Sequence, residues 1–212
     1  DETVGTTIVN VPTGAVDEFQ LNRSTQDVSG EVTSTGQVLV SSPSGTNTFH
    51  GQGFYQFQDN NALYARAFGG FDEPFQRNQF GGSFGGPIIK DKLFFFGDIE
   101  RIKQDQANVA QASPTFATIL AEYPTFPTPF RDTFSQARLD YTGPLQGHYF
   151  VRAFYEVNAD AGNFGNLYQV YTNRDNVPGL GGGADYSFGH WTHSFRGSYE
   201  KFHNQIGDTT LG

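Results

Sequence analysis

The sequence predicts an all-β chain, an antiparallel up-and-down meander forming part of a large transmembrane β-barrel. Three observations predict it. From residue 48 onward, polar and apolar residues alternate with period two, the signature of a strand with two different faces. The alternating runs are about as long as the roughly 9–11 residues that a tilted strand needs to cross a bilayer core. Their connections alternate between tight turns and long loops, an order that a membrane barrel keeps and a soluble meander does not need.

Composition narrows the function classes. The 212 residues include 22 Phe, 10 Tyr and 26 Gly, with no Cys and no Met. Acidic residues outnumber basic ones 22 to 13, a net charge of −9. That balance argues against a nucleic-acid partner, which requires a basic surface to displace counterions. Absence of Cys excludes disulfides, a thiolate nucleophile and thiolate metal sites. No stretch approaches the apolar length of a membrane-spanning helix, and "DETVGTTIVN" at the start has neither the basic nor the apolar region of a secretion signal.

Residues 1–47 are polar and rich in Thr, Ser and Gly, with a weak helical turn at 12–19, the apolar run "QVLV" at 37–40 and the closing turn "SPSGTN". They read as a small separate unit. In 48–58, Phe49, Gly51, Gly53, Tyr55 and Phe57 share one face, and His50, Gln52, Phe54, Gln56 and Gln58 the other. A long loop is expected at 59–76.

The stretch "RNQFGGSFGGPIIKDKLFFFGDIE" at 77–100 invites comparison with a phosphate-binding loop, but it lacks the Gly-Lys-Ser/Thr triplet and the spacing of a dinucleotide fingerprint. It reads instead as a hairpin turning at 87–91. Phe80, Gly82, Phe84 and Gly86 share a face of its first strand. In the second, Leu93, Phe95, Gly97 and Ile99 face lipid while Asp98 and Glu100 face the lumen.

A second long loop at 106–130 holds a short helix over 113–124, with Ser113 as N-cap, Pro114 at its first position and Pro124 as stop. Strands follow at 133–141 and 147–158, joined by the tight turn 142–147. A third long loop is expected at 159–179, then a strand at 190–202. About seven barrel strands are expected in 48–212.

The chemistry-bearing residues point to a wall rather than a catalyst. No nucleophile elbow or His-Glu-x-x-His is present, and no cofactor is expected. His190 and His193 lie three apart, which on a strand sends them to opposite faces, so solvated or lumen-facing histidines are expected rather than a metal site. Asp98 and Glu100 could act as acid and base, but ion-pair ladders with Arg138, Arg152 and Arg196 across the lumen wall fit better. The acidic segments 59–61 and 173–176 offer oxygens to Ca²⁺ without EF-hand spacing. Face assignment makes Arg138, Arg152, Glu156 and Arg196 the lumen-facing candidates. Loop position makes Tyr64, Phe68, Phe71 and Tyr168 the candidates for ligand contact outside.

The stretches "SGTNTFHGQGFYQFQDNNALYAR", "PFQRNQFGGSFGGPIIKDKLFFFGDIE" and "DTFSQARLDYT" resemble the start of the barrel in Oar-like TonB-dependent outer-membrane proteins. "VPTGAVDEFQ" resembles that family's plug segment. The resemblance implies that 1–47 is the C-terminal part of a plug-like domain and 48–212 the first strands of a barrel of about 22. It also implies gated transport of a large solute across a bacterial outer membrane, with the lipid bilayer and a TonB-type energy-coupling complex as partners. The remaining strands would come from missing sequence or other copies of the chain. Two rivals remain: an extracellular fibre or sheet built by edge-to-edge strand pairing, and a soluble sugar-binding β-sandwich using Trp191 and tyrosines.

Overall fold

The computed structural model describes residues 18–22, 37–60, 74–110, 113–163 and 170–208. The N-terminal part contributes a two-stranded antiparallel sheet, β1 (Glu18–Asn22) with β2 (Gln37–Ser41), in the register Glu18↔Ser41. Phe19, placed above at the end of a helical turn, is therefore in a strand, and 12–17 lie outside the described residues.

The main sheet contains β3 (His50–Asp59), β4 (Phe75–Ile89), β5 (Leu93–Val109), the short β6 (Thr125–Pro127), β7 (Phe130–Gly143), β8 (Gly147–Asn163), β9 (Val170–Phe188), β10 (Trp191–Glu200) and β11 (His203–Asp208). Its order is β3-β4-β5-β7-β8-β9-β10, every neighbour antiparallel. It is the expected meander, seven strands along its path. β6 adds to the far end of β5, and β11 continues along β9 beyond β10. The break between β10 and β11 falls beside Pro178, which has no N–H to donate; its carbonyl still accepts the Lys201 N–H at 3.1 Å.

Several expected boundaries move. The loop drawn at 159–179 is mostly strand: β8 and β9 stay paired as far as Asn163↔Val170. The 106–130 loop loses its start to β5 and part of its end to β6. The helix at 113–124 shrinks to a 3₁₀ turn, Pro114–Phe116, and α1, Ala117–Glu122, with no side-chain cap from Ser113. β4 runs on through Ile89 with an irregularity after Pro87, so the hairpin turns at 90–92, where Asp91 sits at φ 62.

Polarity is inverted relative to a soluble protein. One face of the sheet buries Asp98, Glu100, Asp132, Gln136, Asp140, Glu156 and Asn158, with Glu156 at 0% exposure. The other exposes Phe84, Ile99, Leu139, Val151, Tyr155, Leu180 and Trp191. Water would penalise such a surface and a bilayer would not. The face with the buried polar residues is called inner below, its opposite outer. Among the described residues, no helix is long and apolar enough to cross a membrane. Among the described residues, no second sheet packs on the main sheet to form the core of a sandwich, and Trp191, at 73% exposure, stands on the outer apolar face. The meander order and the apolar outer face favour a barrel wall over the sugar-binding sandwich.

Candidate functional site

Alternation and register bring the inner residues into rows that cross the wall. One reads His50, Gly85, Phe96, Arg138, Arg152, Gly181, Ser198 from β3 to β10. The next reads Gln52, Ser83, Asp98, Gln136, Phe154, Gly179, Glu200, and the third contains Phe54, Gly81, Glu100, Phe134, Glu156 and Val177. All four predicted lumen-facing residues, Arg138, Arg152, Glu156 and Arg196, fall on this face. Tyr64, Phe68, Phe71 and Tyr168 lie outside the described residues.

The best-built feature is centred on Arg138. Its Nε and Nη2 donate to the two carboxylate oxygens and to Oδ1 of Asp140, at 2.8–3.1 Å, the forked geometry that a guanidinium offers a carboxylate. His148 Nε2 lies 3.1 Å from the same carboxylate. The remaining Nη1 donates to both the carbonyl oxygen and Oγ of Ser42 at 2.8 Å. Ser42 directly follows β2, so this guanidinium ties the N-terminal sheet to the inner wall.

Two further contacts extend that attachment. Gly45 lies against the backbone of β5, where an added Cβ would overlap the Phe95 carbonyl oxygen. Asn47 then clasps the β4–β5 turn: its Nδ2 donates to Asp91 Oδ1 at 2.6 Å, and the Asp91 N–H donates to Asn47 Oδ1 at 2.9 Å. Sequence reasoning missed Ser42, Gly45, Asn47 and Asp91 as a contact set. The signal available was the turn-type "SPSGTN", but nothing local says which surface a turn will touch.

The arginines differ from one another. Arg138 and Arg152 are directly opposite in register, an unfavourable pairing of like charges. Arg138 turns to Asp140 and lies 4.7 Å from the Phe150 ring centre, while Arg152 lies 5.8 Å from that of Phe154. Arg196 pairs with Asp185 at 2.6 Å and reaches the Phe150 ring at 5.3 Å. The expected ladders joining these arginines to Asp98 and Glu100 are not formed. Instead, Arg77 donates to Gln79, which donates to Glu100 at 2.7 Å, and Asp98 Oδ1 and Glu100 Oε2 are buried without a partner.

Farther from the tight turns, Asn204 bridges Asn173 and Asp175, and Asn173 reaches Asp160 at 3.1 Å. Amide nitrogens thus take up Asn173 Oδ1 and both carboxylate oxygens of Asp175, within the 173–176 segment offered above to Ca²⁺, and no metal-ligand cluster occurs among the described residues. His193 stacks on Tyr186 on the outer face, 5.0 Å between ring centres, rather than facing the lumen.

Residues 41–129, from the last residue of β2 to just before β7, match the family model of the outer membrane beta barrel domain. No curated protein and no solved structure matches the chain. An apolar outer face, a polar inner face, strands of membrane-crossing length and this match identify the wall strands of a β-barrel protein of the bacterial outer membrane.

Proposed function

We propose that this wall belongs to a TonB-dependent-type transporter of the Oar-like kind, in which the N-terminal segment is a plug gating passage of a large solute. An inner-membrane energy-coupling complex would act on that plug, and the wall would serve as a passage rather than a catalyst. The observation that carries this reading is the attachment of Ser42 to Arg138. It ties a segment lying before the barrel in the chain to the barrel's inner, polar face, as a plug must be. The buried carboxylates around it offer polar partners to a plug or a solute.

Ion conductance of the protein in planar bilayers tests the gate. Wild type is expected to be closed, and Arg138→Ala combined with Gly45→Phe to leak. Solute uptake in cells should stop when the inner-membrane proton gradient is dissipated. Equal conductance of wild type and variant, with uptake indifferent to the gradient, would sink the proposal.

A second reading draws on the open edges. Among the described residues, β3 and β10 each have a strand partner on one side only, so copies of the chain could pair edge to edge. Filaments formed in plain buffer would favour this assembly.

A further inference from the structure

We propose that the outer face carries a docking site for one lipid of the outer leaflet that bears phosphate monoesters. Its headgroup would sit on Arg101, Lys103 and Arg131, with an acyl chain in the hollow below them.

The first observation is where the outer-face cations lie. Lys103 and Arg131 are directly opposite in register on β5 and β7, and Arg101 is two positions nearer the membrane centre on β5. Arg174 continues the Lys103 row two strands farther on. Below this level the described outer face of these strands is apolar or small: Ile99, Ser135 and Tyr155, then Gly97, Ala137 and Ala153, then Phe95, Leu139 and Val151. Lys103 stands ten positions above Leu93, where β5 begins. At about 3.3 Å per residue and a tilt near 40°, that is a height of about 25 Å, the thickness of the apolar band of such barrels. The cations therefore emerge at the far interface, where lipid phosphates lie.

The second observation is independent. A hollow of about 520 Å³ opens on the apolar face, lined by Phe84, Phe95, Gly97, Ala137, Val151 and Ala153. Its floor is the row of small residues Gly97, Ala137 and Ala153, with larger side chains above and below. Gly97 is four to six positions from Arg101 and Lys103, about 13–20 Å along the strand, within reach of an extended acyl chain. A phosphate placed on the cations would hang its chain over this floor.

The charge at the site is not purely positive. Asp105, next on the outer side of β5, forms an ion pair with Arg131, and Asp59 shares its register level. Arg101 donates to Thr133 Oγ1 at 2.9 Å, which fixes its direction, and Lys103 is exposed. A lipid phosphate therefore competes with Asp105 for Arg131, which sets the direction of the sharpest test.

The experiment incorporates the protein into phosphatidylcholine nanodiscs containing a small fraction of lipid A, or of its dephosphorylated form, and measures retained lipid by native mass spectrometry. Lipid A should be retained and the dephosphorylated form not. Lys103→Gln should weaken retention about fivefold, and Arg101→Gln with Lys103→Gln multiplicatively more. Asp105→Asn should strengthen it, a gain that no merely structural role predicts. Ala137→Phe, which fills the hollow and leaves every charge in place, should weaken it. Equal retention of both lipids, or Asp105→Asn weakening retention, overturns the proposal. Displacement of lipid A by equimolar inorganic phosphate would equally overturn it, since a free anion would then suffice.

Discussion

At the scale of single residues, Arg138 is the position on which the inner wall depends most. It satisfies the nearly buried Asp140 and holds Ser42 at once. Arg138→Ala should destabilise the chain in detergent by about 3 kcal/mol, because a buried carboxylate loses its main partner. Ser42→Ala should cost about 1 kcal/mol, since the Ser42 carbonyl still accepts from Arg138. A double-mutant cycle by urea titration checks the coupling: strictly additive losses would mean that Ser42 and Arg138 do not communicate. Trp191, the single tryptophan, reports on the other face. It is exposed beside the tight turn at Gly189 and His190. Its fluorescence should be quenched more by bromine atoms near the lipid headgroups than by bromine at the bilayer centre.

At the scale of elements, the strands were legible wherever one side faces lipid. Val151, Ala153, Tyr155 and Val157 alternate with Arg152, Phe154 and Glu156, so the sequence itself assigns the faces of β8. The signal failed where the same strand rises beyond the apolar band. There the outer face offers Ala159 and Ala161 on β8 and Thr172 and Arg174 on β9, so the contrast between faces fades, and Asp160, Asn173 and Asp175 look like loop residues although they are paired across β8 and β9. The glycines at 179–183 resemble a turn for another reason. A Cβ at Gly179 would overlap the Phe154 ring, and one at Gly183 would lie 2.7 Å from both the Phe150 ring and the Arg196 stem. The glycines make room for neighbouring side chains, which local sequence cannot reveal. Of the candidate site, the four inner residues could be assigned to a face by parity alone; the contact of Ser42 with Arg138, 96 positions away, could not. Face assignment also sets a prediction. Val151→Lys should cost about 2–4 kcal/mol of stability in lipid vesicles, and Ser198→Lys on the inner face less than about 1. Similar losses at both positions would mean that the apolar face is not the lipid face.

At the scale of the whole molecule, the two open edges and the apolar outer face act together. The chain should disperse only in detergent, checked by size-exclusion chromatography with light scattering. A monodisperse monomer in plain buffer would contradict the membrane wall. The charge distribution matters at this scale too. Asp98, Glu100, Asp132, Asp140, Glu156, Asp160, Asp175, Asp185 and Glu200 share the inner face with Arg77, Arg138, Arg152 and Arg196. Much of the net charge of −9 is thereby placed on the side away from lipid.

The sequence order of the three attachments has a mechanical consequence. Ser42, Gly45 and Asn47 meet the wall at Arg138, the Phe95 backbone and Asp91 in the order in which they occur along the chain. A force drawn through the N-terminal sheet would load them in series, the guanidinium contact first and the Asn47 clasp last. Contacts loaded one at a time peel at lower force than contacts sheared together. The clasp, three residues before β3 begins at His50, would keep load off the first pairs of that strand until the other two contacts had parted.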